Sequence, residues 1–197
     1  MRDSLRFLLE FVKRPKNTGA IAPSSEMLAG AIVEEIGLEE ADLAMEFGPG
    51  SGAFTGEILR KLPSDAEFLA IENNERMLRM FRRRHPDATI VDDSIARAPS
   101  ILRQRGYPPE SVDSIVSGLP WASFDDQLQN ELLEATLEIL KPGGMFATFA
   151  YIHGLVLPTG RRFRQKLDTR FGGVETSEIV WRNLPPAFIY RCTKSGR

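Results

Sequence analysis

Apolar runs and amphipathic stretches alternate along most of the 197-residue chain, and this alternation predicts its secondary structure. Five apolar runs have the length and composition of strands: residues 43–47, 67–72, 88–91, 112–117 and 145–151. Helical spacing fills the intervals, at residues 57–61, 75–84, 95–105 and 125–140. Because crossover helices join parallel strands, the pattern predicts a doubly wound, mostly parallel α/β sheet. Residues 174–181 and 187–192 should add a closing antiparallel hairpin and bring the sheet to seven strands.

The first sixteen residues have the pattern of an amphipathic helix. Large apolar side chains fall on one face: Leu5, Phe7, Leu8, Leu9, Phe11 and Val12. Basic residues surround that face: Arg2, Arg6, Lys13, Arg14 and Lys16. A bulky apolar face with a basic rim favours interfacial binding, so residues 2–14 are expected to bind an anionic membrane surface. The alternative is a short helix that covers the protein core.

Length and composition suit a single domain, with residues 1–16 as the amphipathic helix and residues 17–197 as the core. The sequence has neither an apolar run of ~20 residues nor a signal-peptide cleavage pattern. A cytoplasmic protein, associated peripherally with the inner face of the membrane, is therefore expected. The single cysteine, Cys192, excludes an intramolecular disulfide and leaves no cluster of metal ligands.

Charge is distributed unevenly along the chain. Residues 1–16 carry five Lys/Arg against two acids, and residues 161–197 carry nine against three, although the net charge is −2. A nucleic-acid binder would more often be basic overall, so the basic ends indicate a surface that bears local anions. The alternative is that solvated helices cluster charge by chance.

Three alternate glycines follow the predicted strand 43–47 in the segment Glu46-Phe47-Gly48-Pro49-Gly50-Ser51-Gly52. Glycine permits positive φ and lets a ligand approach the backbone, and a turn from strand to helix is where α/β proteins bind nucleosides. A dinucleotide fingerprint also fits, with Gly48, Gly50, Ala53 and Glu72 in its four places. The glycines alone leave the nucleoside undecided.

Acidic residues around this loop favour S-adenosylmethionine. Glu46 can order the amino-acid end of that ligand, Glu72 can accept both ribose hydroxyls, and Asp93 can accept the adenine amine. Gly52 adds a third alternate glycine. The competing interpretations are loop ordering by Glu46 and N-capping of the helix near Ile95 by Asp92 or Asp93.

Taken together, these sites resemble those of class I S-adenosylmethionine-dependent methyltransferases over residues 18–192. The order of elements and the turn Lys141-Pro142-Gly143-Gly144 resemble that family as well. The resemblance implies S-adenosylmethionine as the cofactor. The expected cofactor-binding residues are Thr18, Gly19, Glu46, Gly48, Gly50, Gly52, Glu72, Asn73, Asp93, Ser94 and Gly118.

The segment Ser117-Gly118-Leu119-Pro120-Trp121 bears on the methyl acceptor. It resembles the Asn-Leu-Pro-Tyr or Asn-Pro-Pro-Tyr of adenine-N6 methyltransferases, including ribosomal RNA dimethylases. In that family the asparagine accepts a hydrogen bond from a poorly nucleophilic amine while the aromatic ring stacks on a flipped base. Gly118 stands in place of the asparagine, which weakens a nucleobase interpretation.

Three segments together resemble the bacterial phospholipid N-methyltransferases, which act on phosphatidylethanolamine. They are Gly-Ala-Ile-Ala-Pro-Ser-Ser at 19–25, Ser-Gly-Leu-Pro at 117–120 and Arg-Asn-Leu-Pro-Pro-Ala at 182–187. The chain departs from the family after Tyr151, where Ile152-His153-Gly154 replaces the expected Gly-Pro. The resemblance implies stepwise methylation of a phospholipid amine, with an ornithine lipid or an RNA adenine as alternative acceptors. A non-catalytic membrane-binding module is the alternative from another class.

Within this interpretation Tyr151 orients the amine or passes its proton to solvent, and Trp121 belongs to a desolvating wall. Ordinary core packing is the alternative for both. The expected substrate-binding residues are Leu119, His153, Arg182 and Asn183. Arg182 is the preferred partner for a lipid phosphate, ahead of Arg161, Arg162 and Arg164 in a predicted loop after the fifth strand.

Overall fold

The computed structural model describes residues 26–196, apart from the side chain of His153. The predicted helix at residues 2–14, together with Thr18 and Gly19, lies outside the described residues. No helix within residues 26–196 is long and apolar enough to cross a membrane.

A seven-stranded sheet of order β3-β2-β1-β4-β5-β7-β6 forms the centre of the fold. Its strands are β1 (Leu43–Phe47), β2 (Glu67–Glu72), β3 (Ile90–Asp92), β4 (Val112–Ser117), β5 (Leu140–Tyr151), β6 (Gly173–Thr176) and β7 (Ala187–Thr193). Strands β1 to β5 run parallel, whereas β7 pairs antiparallel with both β5 and β6. The predicted doubly wound, mostly parallel sheet and its antiparallel closure are confirmed.

Strands β1, β2 and β4 have the predicted bounds, whereas β3, β5, β6 and β7 differ. Strand β6 ends at Thr176 instead of residue 181, and β7 extends one residue further, to Thr193. Strand β3 begins at Ile90, two residues later than predicted. Strand β5 begins at Leu140, which pairs with Val112, but the next pairing joins Met145 to Ser114. Residues 141–144 therefore bulge out of the ladder, and Gly143 permits the bulge with a φ of 78°.

Six α-helices connect and flank the strands in the described residues: α1 (Glu26–Ile32), α2 (Thr55–Lys61), α3 (Glu75–Arg84), α4 (Ala98–Gln104), α5 (Asp126–Ile139) and α6 (Pro158–Arg170). Short 3-10 helices occupy Leu38–Glu40, Ile95–Arg97, Trp121–Ser123 and Ile152–Val156. The predicted helix 95–105 is thus a 3-10 turn that continues into α4.

Helix α6 corrects the loop predicted after the fifth strand, because Arg161, Arg162 and Arg164 all lie on it. Its sequence is mostly polar, with one narrow apolar stripe. Phe163 and Leu167 are four residues apart and both buried, and Pro158 occupies the first turn. That stripe is enough to hold a helix against the sheet.

Two apolar clusters pack on the sheet. One combines buried side chains of α4, α5 and α6 with those of the strands, and the other combines those of α1 and α2 with the strands. All five residues of β1 are buried, as expected for a central parallel strand covered on both faces. The carboxyl ends of β1 to β5 share one edge of the sheet, and the pairing of Tyr151 with Ala187 places the start of β7 there too. The candidate site lies along this edge.

Candidate active site

The glycine loop joins the end of β1 to α2, and all three of its glycines adopt positive φ: 63° at Gly48, 58° at Gly50 and 83° at Gly52. A Cβ on Gly48 would lie 2.6 Å from Leu119 Cδ2, and one on Gly52 would lie 2.5 Å from His85 Cδ2. Gly50 differs, since a Cβ there would meet nothing nearer than Met77 Sδ at 4.0 Å. Neighbouring side chains hold the loop at Gly48 and Gly52, while Gly50 keeps an open side.

Glu46 lies beneath this loop and is fully buried. Its Oε2 accepts a hydrogen bond of 2.6 Å from the Thr55 hydroxyl, while Oε1 has no partner among the residues that the structure describes. Burial raises the pKa of the Glu46 carboxyl to about 8, and the Thr55 hydrogen bond offsets only part of that effect. Glu46 therefore orders the start of α2 and still retains an oxygen for a ligand.

Glu72 ends β2 and fastens the glycine loop to it. Its Oε2 accepts from the Gly50 N–H at 3.1 Å, and its Oε1 accepts from the N–H groups of Asn73 and Asn74 at 2.9 and 3.0 Å. Burial raises the pKa of Glu72, although these backbone donors oppose the shift. A carboxylate has about four acceptor positions, so one remains for a ribose hydroxyl.

Asn73 is exposed, and the N-cap of α3 is its neighbour Asn74, whose Oδ1 accepts hydrogen bonds from the N–H groups of Arg76 and Met77.

Asp93 directly follows Asp92, the last residue of β3. Its Oδ1 accepts from the Ser94 N–H at 2.7 Å, and its Oδ2 lies 3.1 Å from Arg97 Nη1. The N-cap of the following 3-10 helix is Ser94, which makes no side-chain capping bond.

Acidic side chains thus stand at three adjacent strand ends, in the order Glu46, Glu72 and Asp93. The Asp93 N–H donates to the Glu72 carbonyl at 3.2 Å, which fixes the second and third side by side. The unpartnered Oε1 of Glu46 and the open side of Gly50 fit the amino-acid end of S-adenosylmethionine. The open acceptor position of Glu72 fits a ribose hydroxyl, so the described residues suit the amino-acid end and the ribose of the cofactor.

Gly118 follows β4 and presses against the glycine loop. Its N–H donates to the Phe47 carbonyl at 2.8 Å, and a Cβ on Gly118 would lie 2.5 Å from the Gly48 carbonyl oxygen. Glycine is therefore required at 118 by backbone packing. Leu119 is also buried against this loop, so this predicted substrate residue contacts Gly48.

Trp121 lies in the core just beyond this contact, with 2% of its surface exposed. Its indole N–H donates to Ser117 Oγ at 3.0 Å, and its ring stacks on Phe163 with centroids 4.7 Å apart. Core packing, the alternative for this residue, is therefore part of its role. Trp121 nevertheless also borders a cleft.

That cleft, about 640 Å³ including its open mouth, lies between the segment after β4 and the start of α6. Five aromatic side chains line it: Trp121, Phe149, Tyr151, Phe163 and Tyr190. None of the described lining residues is charged. Tyr151 is half-buried, packs edge-on against Phe149 at 5.3 Å, and has its pKa raised by burial. The cleft is suited to holding an acceptor away from water.

Arg182 and Asn183 lie elsewhere than this aromatic cleft. Arg182 is exposed and lines a separate depression, and Asn183 is buried with its Nδ2 donating to the Pro185 carbonyl at 2.7 Å. Of the other candidate arginines, Arg164 pairs with Asp168 at 2.9 Å. The structure therefore groups Glu46, Glu72, Asp93, the glycines, Trp121 and Tyr151 at one edge, but sets Arg182 apart from the cleft.

Sequence reasoning missed several residues that shape this site: Thr55, Asn74, His85, Phe149, Phe163 and Tyr190. Asn74 had a readable signal, because an Asn just before a helical pattern is a preferred N-cap. His85 Nε2 lies 3.1 Å from the Gly52 carbonyl oxygen across 33 residues, a contact that no local pattern encodes.

Comparison with known proteins agrees with this geometry. The profile of a family described as "Methyltransferase domain" matches residues 44–144. The chain is 31% identical over 195 residues to the ornithine lipid N-methyltransferase of Singulisphaera acidiphila, covering 98% of this chain and 96% of the relative. It is 38% identical over 68 residues to the ribosomal RNA small subunit methyltransferase A of Chlorobaculum parvum, covering 34% of this chain and 24% of the relative.

Solved structures share the fold. An O-methyltransferase from Bacillus cereus, in complex with SAH, has a TM-score of 0.69 at 14% identity, over 98% of this chain and 92% of its own. A SAM-dependent O-methyltransferase from Thermotoga maritima has a TM-score of 0.65 at 20% identity, over 96% and 72%. With the glycine loop, its three acids and the matched family, the chain belongs to the class I S-adenosylmethionine-dependent methyltransferases.

Proposed function

We propose that this protein transfers methyl groups to the amine of a membrane lipid with an ornithine-type head group. The observation that carries the proposal is the 31% identity, over nearly the whole of both chains, to an ornithine lipid N-methyltransferase. The sequence motifs favoured phosphatidylethanolamine instead. Both acceptors present a primary aliphatic amine, so the same chemistry serves either and a direct comparison decides between them.

The aromatic cleft supports an amine acceptor. A primary ammonium must lose a proton before it can attack, and a water-poor wall lowers its pKa because burial disfavours the charged form. Each transfer leaves a more substituted nitrogen that is cationic when protonated or fully methylated. An aromatic face such as that of Tyr151 favours such a cation by about 0.5–2 kcal/mol.

Glu46, Glu72 and Asp93 would hold S-adenosylmethionine by its amino end, ribose and adenine. When bound, the cofactor supplies an activated methyl group on a sulfonium. The protein contributes alignment and exclusion of water. Tyr151 retains its phenolic proton because burial raises its pKa, so its oxygen accepts a hydrogen bond from the amine and orients the lone pair without acting as a phenolate base. The amine proton then passes to solvent at the cleft mouth.

An RNA adenine is the weaker acceptor candidate. Two ribosomal RNA methyltransferases match 34% and 62% of this chain, over 24% and 44% of their own lengths. The position of the adenine-binding asparagine is filled by Gly118, where any side chain would strike the Gly48 carbonyl. We therefore expect RNA to be a poor acceptor.

A methyl-transfer assay with labelled S-adenosylmethionine tests the proposal. Purified protein is given vesicles with ornithine lipid, vesicles with phosphatidylethanolamine, or ribosomal RNA, and label is expected first in the ornithine lipid. Tyr151→Phe keeps the ring but removes the orienting oxygen, so its kcat should fall about 10-fold to 100-fold with little change in cofactor Kd. Cofactor binding without label in the ornithine lipid would refute the proposal.

A further inference from the structure

We infer that two neighbouring loops, at residues 155–157 and 181–184, form a membrane-docking surface that inserts into the interface of a lipid bilayer. The inference rests on the proposed function, since a lipid acceptor reaches the cleft only from a bilayer. Its residues are distinct from those of the predicted helix at residues 2–14.

Exposed apolar side chains are concentrated at this surface. Nine large apolar residues are exposed among those the structure describes, and six of them lie on or beside these loops: Leu155, Val156, Leu157, Ile179, Trp181 and Leu184. Leu184 is 91% exposed, and Val156 and Trp181 are each 69% exposed. Large apolar side chains exposed on two segments at one edge of the sheet favour a binding surface there, because soluble surfaces rarely gather such groups.

The two loops leave the sheet at adjoining points. Tyr151 at the end of β5 pairs with Ala187 at the start of β7, and the Ile152 N–H donates to the Pro186 carbonyl at 3.1 Å. Both loops therefore project from the edge that carries the cofactor residues.

The docking surface is continuous with the aromatic cleft. Leu155 and Leu157 are exposed on their outer side, and they also line the cleft that contains Tyr151. An apolar path thus runs from the outside of the protein to the acceptor site. A lipid moving along it would keep its acyl region in apolar surroundings while its head group enters.

Charge and residue type at the surface suit a bilayer interface. Trp prefers the head-group level, and exposed Arg161, Arg162 and Arg182 flank the apolar side chains, where guanidinium groups can meet lipid phosphates. Four glutamates line the depression behind Arg182: Glu34, Glu35, Glu175 and Glu178. Apolar insertion should therefore carry most of the affinity, and anionic lipid should add a smaller part.

Tryptophan fluorescence tests the docking directly, because the chain has two tryptophans and only Trp181 is exposed. Full-length protein is mixed with vesicles whose acyl chains carry bromine. We expect a blue shift and quenching of Trp181 emission. Trp181→Phe keeps an apolar ring, so this variant should still sediment with vesicles but lose the quenchable signal.

Variants measure the contribution of single side chains. Leu184→Ser and Val156→Ser should each weaken vesicle affinity roughly tenfold, and Arg182→Gln about fivefold on anionic vesicles. Met80→Ser is the matched control, since Met80 is an exposed apolar residue on α3, outside both loops, and should leave affinity unchanged.

Absence of quenching, or serine variants that bind as well as the unmodified protein, would overturn the inference. It is also overturned if Trp181 emission is already blue-shifted in buffer and shifts red when residues 1–16 are deleted, because the chain itself then covers the surface. Transfer to a soluble, short-chain ornithine lipid separates the two proposals, and Leu184→Ser should leave it unchanged. No transfer to that acceptor, together with clear quenching, would refute the proposed function alone.

Discussion

Replacing Glu46 by glutamine should change how the stability of the protein depends on pH. Burial raises the pKa of Glu46 to about 8 in the folded protein, against 4.5 for an unperturbed glutamate. Between these values the folded protein keeps a proton that the unfolded chain releases. Because the folded pKa is the higher one, the stability is fully present below pH 4.5 and is lost as pH rises towards about 8.

The expected loss is about 1.4 kcal/mol per pH unit, or about 3 kcal/mol between pH 5 and pH 7.5. Glutamine keeps an oxygen that can accept the hydrogen bond from the Thr55 hydroxyl, and it places a neutral NH₂ near the unpartnered Oε1 position. Glu46→Gln should therefore gain about 3 kcal/mol relative to the unmodified protein across that range.

Urea unfolding of both proteins at pH 5, 6, 7 and 7.5 measures this difference. Glu40→Gln removes an exposed carboxylate and controls for the loss of one negative charge. A difference between Glu46→Gln and the unmodified protein that stays constant with pH would refute the reasoning, because it would mean that Glu46 is ionised in the folded protein throughout.

The remaining predictions concern the cofactor and the loop that receives it. Binding of S-adenosylmethionine at pH 7 should release up to one proton, because its ammonium favours the ionised form of Glu46. Calorimetry in buffers of different ionisation enthalpy measures this release, and a release that persists in Glu46→Gln would contradict the binding mode. Glu72→Gln turns an NH₂ towards a backbone N–H and should weaken cofactor binding about 10-fold to 100-fold by titration, whereas the exposed Glu75→Gln should not, and equal affinities would count against a cofactor role for Glu72. Gly118→Ala should lower the free energy of unfolding in urea by about 1–3 kcal/mol, since the added Cβ meets the Gly48 carbonyl. Gly30→Ala is the control, because Gly30 on α1 has open space around it and its replacement should be neutral or stabilising. Equal stabilities of the two variants would contradict the packing argument.

The fold was largely predictable because its strands are nearly continuous apolar runs. Strand β1, buried on both faces, stands out in the sequence for that reason. Helix α6 was not recognised, since only Phe163 and Leu167 are buried in a stretch rich in charge. The bulge at residues 141–144 was also missed, because a Pro-Gly-Gly segment predicts a turn equally well outside a strand and inside one.

The donor side of the site was more predictable than the acceptor side. Glu46, Glu72 and Asp93 occupy fixed places relative to strand ends, so their spacing revealed them. The acceptor cleft instead combines segments far apart in the chain, such as Phe163 on α6 and Tyr190 on β7. The sequence analysis explained Gly118 as the replacement of an asparagine. The structure shows instead that a side chain at 118 would strike the Gly48 carbonyl, 70 residues earlier, a contact that sequence spacing cannot show.

The glycine loop is held on three sides, by Leu119, by the carboxylate of Glu72 and by the ring of His85. Because these contacts already hold the loop in one conformation, little conformational entropy is lost when a ligand binds. The loop should also bind S-adenosylmethionine and S-adenosylhomocysteine equally well through the atoms that the two ligands share. In the proposed binding mode, the three acids contact only those shared atoms. S-adenosylhomocysteine should therefore be a strong product inhibitor, and preference for the charged sulfonium falls to the aromatic faces of the neighbouring cleft.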